Sequence, residues 1–254
     1  MTRALIVSCL LLLFVAGAVW AEQIGGPSGP AKGELRIGVE SNFRDHVEGD
    51  AIGFEFAGFP PVIVPSVQPA RLSTHAFYGA VQYGICDRLS IRGKVGVGKV
   101  GVDATSDGII PHDLLDWGYG LAWSAGLQYR ICAPDEHGTS LALSGQFAHM
   151  EPEGFVAPTG MVFGDGELDE MTAALTVGFT KGKTRPYAGI VWSDFDMDFT
   201  ISDMGFVFPW SFEKDENIGA VFGLDQEFCD RGWLNLEARV WDEASFAATV
   251  GMSW

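Results

Sequence analysis

The sequence predicts an all-β protein that folds as one antiparallel, up-and-down transmembrane β-barrel of about ten strands, with eight strands as the alternative. Three observations predict this fold: an apolar leader, a series of segments in which apolar and small or polar residues alternate, and turn signals between those segments. Glycine and aromatic residues are frequent (33 Gly, 18 Phe, 8 Trp and 5 Tyr), whereas charged residues make up only 19%. Side chains of a strand point alternately to two faces, so each segment offers one apolar face and one small or polar face.

The first 21 residues have the features of a secretory signal peptide. Arg3 supplies the positive charge, residues 4–18 form a leucine-rich apolar run, and small residues around Ala21 form the cleavage site. The run is too short for a comfortable membrane span, so we expect cleavage and export. Residues 22–33 are rich in Gly and Pro and predict a flexible linker, which leaves residues 34–254 for the barrel.

Ten segments carry the alternation. The clearest is 117–131, where Tyr119, Leu121 and Trp123 alternate with Gly and Ala residues. In the third segment the apolar phase changes at Val100, which predicts a β-bulge near Lys99. The predicted strands are 34–42, 72–85, 89–103, 117–131, 139–149, 169–180, 186–200, 216–228, 233–241 and 245–254.

The connections and the polar face distinguish a membrane barrel from a soluble β-sandwich. Short turns alternate with mostly longer loops such as 43–71 and 150–168, which is the hairpin layout of an outer-membrane barrel. A sandwich exposes a face rich in charges, whereas here Gly, Ala, Ser and Thr dominate the non-apolar face. Such residues fit a narrow lumen, with large apolar side chains facing lipid. An even strand count places both termini with the short turns, which for an exported chain is the periplasmic side.

Over residues 34–254 the chain resembles small outer-membrane β-barrels of the OmpA-like and opacity-protein type. The resemblance rests on the leader, the strand rhythm, the segment 186–194 and the terminal aromatic pattern. It implies the outer membrane of a double-membraned bacterium, with outer-membrane lipids around the barrel and the long loops outside the cell. It also implies that the barrel-assembly machinery reads the last strand, through Phe246, Val250, Met252 and Trp254. The chain departs from the commonest members in having room for ten strands and in lacking a peptidoglycan-binding domain.

The inward-facing charges limit what the lumen can do. Buried charges must be paired or hydrated, so we expect a salt-bridged filling without a wide passage. The alternative is a narrow pore whose acidic excess, above all at 194–198, favours cations. The charges predicted to line the lumen are Arg36, Arg92, Lys94, Arg130, Asp194, Asp196, Asp198, Asp225, Glu227, Glu237 and Arg239, and Glu34, Glu40 and Glu170 are predicted to face inwards as well.

Other functional classes have weaker support. The formal net charge of −17 argues against nucleic acid, whose binding needs a basic surface. No Ser-His-Asp or Asp-His spacing stands out, and His75 and His149 are predicted to face outwards, so we predict no enzyme, no catalytic residue, no cofactor and no metal. Three cysteines lie outside the predicted signal peptide. Each begins a short turn and is interpreted as a small residue at a strand end, with a disulfide or a metal site as the alternative. These are Cys86, Cys132 and Cys229.

Three of the longer connections, 53–65, 155–163 and 204–210, are unexpectedly apolar. We expect them to pack on one another as a cap over the barrel mouth, with an adhesive or ligand-binding surface as the alternative. The sequence therefore predicts a monomeric outer-membrane barrel with a structural or cell-surface role and a filled or very narrow lumen. The alternatives are a narrow cation-preferring porin, or a carrier or adhesin for a hydrophobic ligand. A soluble periplasmic β-sandwich binding protein is the third hypothesis.

Overall fold

Antiparallel strands make up most of the chain in the computed structural model, which describes residues 23–27, 29–57, 62–104, 115–132, 138–156, 162–203, 206–241 and 243–254. No helix in these residues is long and apolar enough to span a membrane. The strands are β1 (Leu35–Ala57), β2 (Val62–Gly84), β3 (Leu89–Ala104), β4 (Leu115–Asp116), β5 (Gly118–Cys132), β6 (Thr139–Glu153), β7 (Phe155–Val156), β8 (Val162–Phe163), β9 (Glu167–Phe179), β10 (Thr184–Asp203), β11 (Phe206–Lys214), β12 (Ile218–Glu227), β13 (Gly232–Val240) and β14 (Ala244–Ser253).

Ten of these strands form one closed barrel, which confirms the predicted fold class. Their order around the wall is β1, β2, β3, β5, β6, β9, β10, β12, β13 and β14. The last strand closes the ring on the first, with Arg36 opposite Ser253 and Asp45 opposite Ala244. Closure pairs the strand edges that an open sheet leaves unpaired. The predicted signal peptide lies outside the described residues.

The two ends of the barrel differ. At one end, called here the turn end, β2 and β3 are joined by residues 85–88, and β12 and β13 by residues 228–231. The chain terminus lies at this end too, because Leu35 and Trp254 exchange backbone hydrogen bonds of 3.0 and 2.8 Å. The opposite end, called the loop end, carries the extensions of β1, β2 and β10 together with the short strands β4, β7, β8 and β11.

Along the middle of the barrel the wall is apolar outside and polar inside, as the alternation predicts. On β5, every second side chain from Tyr119 to Ile131 faces outwards, and on β9 the outward set extends from Met171 to Phe179. The inward positions hold Gly, Ala, Ser, Thr and charged residues, for example Ser124. The exposed large apolar side chains form a continuous outer band, called here the apolar belt.

Toward the loop end this polarity reverses. The strand β11 pairs with both β10 and β1, and therefore closes the wall on the loop-end side of the shorter strands β12 to β14. Inside this upper part, apolar side chains such as Phe195, Phe212 and Trp210 are buried, and on the outside charged residues replace the apolar belt. A protein wall that faces water outside and encloses a dry interior has the burial pattern of a soluble sheet.

The reversal explains why the predicted bulge near Lys99 is wrong. The pairing of β3 with β2 is continuous through this position, with Lys99 opposite His75 and Val100 opposite Thr74. On the other side of β3 the register shifts by one residue, but the extra residue belongs to the partner strand, between Asp116 and Gly120. The strand keeps its phase, and Val100 lies on the same inner face as Lys94. Only the environment of that inner face changes, from polar lumen to apolar interior. A register shift does occur in β1, between Arg44 and Val47.

Candidate functional site: the filled lumen

The N-terminal segment occupies the turn-end half of the lumen. Residues 23–27 are buried, and Glu237 of the wall accepts hydrogen bonds of 2.8 Å from the backbone N–H groups of Ile24 and Gly25. Arg92 donates to the carbonyl of Gln23 at 2.6 Å, and Gln128 donates to the carbonyl of Gly26 at 2.8 Å. The composition predicted a flexible linker here, but the structure shows a segment bound by the lumen charges, because those charges satisfy its backbone groups.

Two glycines allow the segment to fit. Gly25 has φ +79°, a conformation in which a side chain is strained. A Cβ at Gly26 would lie 2.5 Å from an oxygen of Asp225 and from a ring carbon of Tyr187. The glycines that looked like linker residues are therefore required by the space inside the barrel.

The wall around this segment carries its own polar network. Lys94 forms a 2.7 Å ion pair with Glu40, and both side chains are almost fully buried. The Tyr187 hydroxyl donates to Glu237 at 2.7 Å. Arg130 spans the entrance at the turn end, since its guanidinium donates to the carbonyls of Pro27 and Gly29 at 3.2 and 2.9 Å. Most charged side chains in this part of the lumen thus contact either an oppositely charged side chain or a polar group of the protein.

A second layer, called here the ion cluster, lies between this segment and the loop end. Glu243, in the turn between β13 and β14, lies 2.9 Å from Arg239, 3.0 Å from Arg44 and 3.7 Å from Lys214. Arg44 also contacts Glu170 at 2.6 Å. All five side chains are at most 3% exposed. Three cations thus surround two carboxylates in one buried network, and among these five side chains the cations outnumber the carboxylates by one.

The third layer, called the apolar cap, fills the loop end. It includes Trp117, Phe163, Phe199, Trp210 and further buried residues, which together come from nine strands and the connection at Trp117. The ring of Phe195 joins it to the ion cluster, because the Arg44 guanidinium and the Lys214 ammonium lie 5.4 and 5.8 Å from its centroid. Within the described residues of 155–163 and 204–210, Phe163, Phe208 and Trp210 pack in the cap as predicted, whereas Val156, Val162 and Val207 are exposed. The side chains of 54–64 lie outside the described set.

The cavities between these layers are small, whereas a larger cavity of about 390 Å³, lined by Glu48, Asp215, Val240, Trp241 and Glu243, lies beside the turn between β13 and β14. One cavity beside Ile24 and Arg92 and another beside Arg44 and Glu170 each have a volume of about 20 Å³. Each volume accommodates about one water molecule. The described lumen therefore contains no wide passage.

Most of the predicted lumen charges do face inwards. Arg92, Lys94, Glu237 and Arg239 belong to the networks above, and Arg130 spans the turn end. The remaining ones lie nearer the turn end, where their partners are wall residues. Arg36 pairs with Glu34 at 2.8 Å, Glu227 pairs with Arg185 at 2.8 Å, and Asp225 accepts a hydrogen bond from Asn235.

The prediction that Asp194, Asp196 and Asp198 line the lumen is wrong. All three are exposed on the outside of β10, in the same phase as Trp192, whereas the alternate residues are buried inside. The strand leaves the apolar belt at this point, so its outer face meets water and its inner face meets the apolar cap. Hydrophobicity alone assigned the faces the wrong way round, because both faces of this strand change character along its length.

The sequence reasoning missed three of the five residues of the ion cluster. Arg44, Lys214 and Glu243 fall in stretches predicted as loops or turns, so no alternation indicated their direction. The pairing of His149 with Asp169 on the outer surface was missed as well, at 2.7 Å between Nδ1 and Oδ1. The outward phase of His149 was predicted, but its partner depends on strand register, which the sequence does not show.

The other predicted positions have simple surroundings. Cys86, Cys132 and Cys229 are exposed free thiols. The terminal residues Phe246, Val250, Met252 and Trp254 lie on the outward face of β14, and their proposed role in assembly stays a prediction.

The fold and the site together define a closed ten-stranded β-barrel with an apolar belt outside and a lumen filled by its own chain. No protein-family model matches the sequence, and no curated protein matches it.

Solved outer-membrane structures are similar to the chain in fold. The outer membrane protease OmpT from Escherichia coli is 10% identical with a TM-score of 0.48, covering 87% of this chain and 96% of that one. The translocator domain of the autotransporter NalP from Neisseria meningitidis is 9% identical with a TM-score of 0.44, covering 87% and 88%. The toluene transporter TbuX from Ralstonia pickettii is 10% identical with a TM-score of 0.35, covering 93% and 95%. With TM-scores below 0.5, these likenesses support no inference about activity.

Proposed function

We propose that this protein is a monomeric outer-membrane β-barrel with a structural or cell-surface role, no enzymatic activity and a lumen that does not conduct. The observation that carries the proposal is the combination of an apolar belt outside with three polar and apolar layers inside. The long loops face the cell exterior and the termini face the periplasm, as the resemblance to OmpA-like and opacity-type barrels implies. Outer-membrane lipids surround the belt, and the barrel-assembly machinery inserts the chain.

The apolar belt supports a membrane location. Large side chains such as Ile190 and Ile218 are 62% and 66% exposed, and they belong to a surface that encircles the barrel. Soluble monomers rarely expose continuous apolar surface of this extent. The belt extends from Tyr119 to Ile131 on β5, slightly more than the roughly 9–11 residues that a tilted strand needs to cross a bilayer.

The closed wall supports the same conclusion. Hydrocarbon offers no partner to a backbone N–H or C=O group, so only a sheet without edges is compatible with it. Exposed aromatic residues lie at both borders of the belt, Tyr83 and Trp254 at the turn end and Trp192 at the loop end, where a bilayer meets water. A two-sheet sandwich is excluded, because the described strands form a single closed sheet.

The filled lumen supports a non-conducting role. An ion entering from the turn end meets the N-terminal segment, then the ion cluster, then the apolar cap. A cation-selective pore loses its best support, because the acidic residues 194, 196 and 198 lie outside the barrel.

Two measurements test this proposal. Fractionation of cells followed by a heat-modifiability gel is expected to place a closed barrel in the outer membrane; recovery in the soluble periplasmic fraction would overturn the location. In planar bilayers the folded protein is expected to give no steady conductance. A variant lacking residues 23–27 should also remain silent, because two layers still block the passage. Ohmic channels from the wild type would overturn the filled lumen, and channels from the deletion alone would show that one layer closes it.

A second candidate, adhesion to an apolar partner, is favoured by one surface at the loop end. Val156, Val162, Ser202 and Val207 are neighbours across β7, β8, β10 and β11, and the three valines are exposed. A variant with Val162→Ser and Val207→Ser tests it, because binding of cells to hexadecane should fall if this surface is adhesive. Unchanged binding, with equal amounts of protein at the surface, would exclude this candidate.

A further inference from the structure

We propose that the outer face of β6 and β9, on the loop-end side of the apolar belt, holds a divalent zinc-type metal ion with His149, Asp169 and Glu167 as ligands. This inference is independent of whether the lumen conducts. The proposed site lies on the outer surface of the barrel and shares no residue with the three layers that fill the lumen.

The three ligand groups converge because of strand register. His149 lies directly opposite Asp169, and Glu167 is two residues along β9, on the same face. One ligand atom from each of the three side chains lies within 4.8 Å of the other two. Ligands bound at about 2.0–2.2 Å around one zinc ion lie roughly 3–3.5 Å apart, so small side-chain rotations complete the site. Strand backbones hold the Cβ positions while those rotations occur.

Both ring nitrogens of His149 face carboxylates, so an ion bound at Nδ1 takes the place of the proton between Nδ1 and Asp169, while the Nε2–H group stays directed at Glu151. The Nε2 atom lies 3.1 Å from the Glu151 carboxylate, while Nδ1 faces Asp169. A histidine that binds a metal through one nitrogen nearly always donates its other N–H to a carboxylate or carbonyl, which fixes the ring orientation. The Trp123 ring, 5.6 Å from the imidazole centroid, restrains the ring further. This arrangement distinguishes the site from a group of acidic residues.

The surrounding charge and the donor set define the class of ion. Asp196 and Asp198 lie opposite Asp169 and Glu167 on β10, so a dication would reduce repulsion on this face. One imidazole nitrogen with two carboxylate oxygens suits a borderline ion such as Zn²⁺, while an all-oxygen site suits Ca²⁺. The protein leaves the solvent side of the site open, since the Asp169 side chain is 47% exposed.

Calorimetric titration of the folded barrel, purified without a polyhistidine tag, tests the proposal. We expect one equivalent of Zn²⁺ to bind, His149→Gln to weaken binding at least tenfold, and Asp169→Asn to weaken it similarly. The matched control is His75→Gln, which removes another outward histidine whose Nδ1 lies 2.9 Å from the Tyr119 hydroxyl; its affinity should equal that of the wild type.

Two further measurements make the outcome unambiguous. Co²⁺ bound at the site should give visible absorption bands that disappear in His149→Gln, and Ca²⁺ should bind at least tenfold more weakly than Zn²⁺. A heat-modifiability gel verifies that each variant is folded. Equal Zn²⁺ affinity of wild type and His149→Gln would overturn the proposal, and so would equal binding of Zn²⁺ and Ca²⁺, which would indicate only a diffuse acidic surface.

Discussion

The ion cluster makes a strong prediction about Glu243. This carboxylate contacts Arg239, Arg44 and Lys214 within 3.7 Å, and its side chain is fully buried. Glu243→Gln preserves the shape but leaves three buried cations facing Glu170 alone. Removing one partner of a buried charge network typically costs about 3–5 kcal/mol, because the remaining charges are not compensated. We expect a loss of that size in the free energy of unfolding.

Reversible urea unfolding in lipid bilayers, followed by tryptophan fluorescence, measures this loss. The matched control is Glu48→Gln, which removes an exposed 3.6 Å ion pair with Arg71 whose side chains are 68% and 42% exposed. Its effect should be about 1 kcal/mol or less. Adding Lys214→Met to Glu243→Gln removes one of the three cations around residue 243 and should recover part of the loss. If Glu243→Gln destabilises no more than Glu48→Gln does, the cluster is hydrated rather than dry and the reasoning fails.

Three more predictions concern the segment 23–27, the aspartates on the outside of β10 and the last strand. Glu237→Leu removes the acceptor of two backbone N–H groups, so exchange of the Ile24 and Gly25 amide hydrogens should accelerate at least tenfold; unchanged exchange would mean that the segment is held by other contacts. Slight desolvation at the barrel surface and the neighbouring aspartates raise the pKa of Asp196, so its ionisation destabilises the fold above that pKa. Asp196→Asn should therefore stabilise the barrel at pH 7 and lose this advantage near pH 3, where both forms are neutral; an equal gain at both pH values would contradict the repulsion. Trp254→Ala should lower the amount of barrel assembled in cells without changing its refolding into lipid vesicles, and equal assembly would refute the terminal signal.

The sequence was sufficient for the strands whose two faces keep one environment. On β5 and β14 the alternation stays in phase from end to end, and the structure places the predicted apolar residues outside. Lys94 and Arg239 were predicted to face inwards for the same reason. Their partners, Glu40 and Glu243, could not be assigned, since a period of two indicates a face but not the residue opposite.

Prediction of the inner and outer faces from the sequence failed where one strand passes through two environments. On β10 the lipid-facing position Trp192 is followed by water-facing aspartates, while the inner face changes from the hydrogen-bonded Tyr187 to the apolar Phe195. Alternation is preserved, but its polarity inverts. The apparent phase change at Val100 has the same cause.

The local pattern by itself determined that this chain forms about ten antiparallel strands with one apolar face each, because side-chain direction along a strand depends only on position. Tertiary structure alone decided what fills the barrel. Closure of β14 on β1 and the crossing of β11 over the shorter strands bring residues far apart in the chain into the ion cluster. The position of the Gly-rich segment 23–27 has the same cause, because its backbone groups find their partners on wall residues that face the inside of the closed barrel.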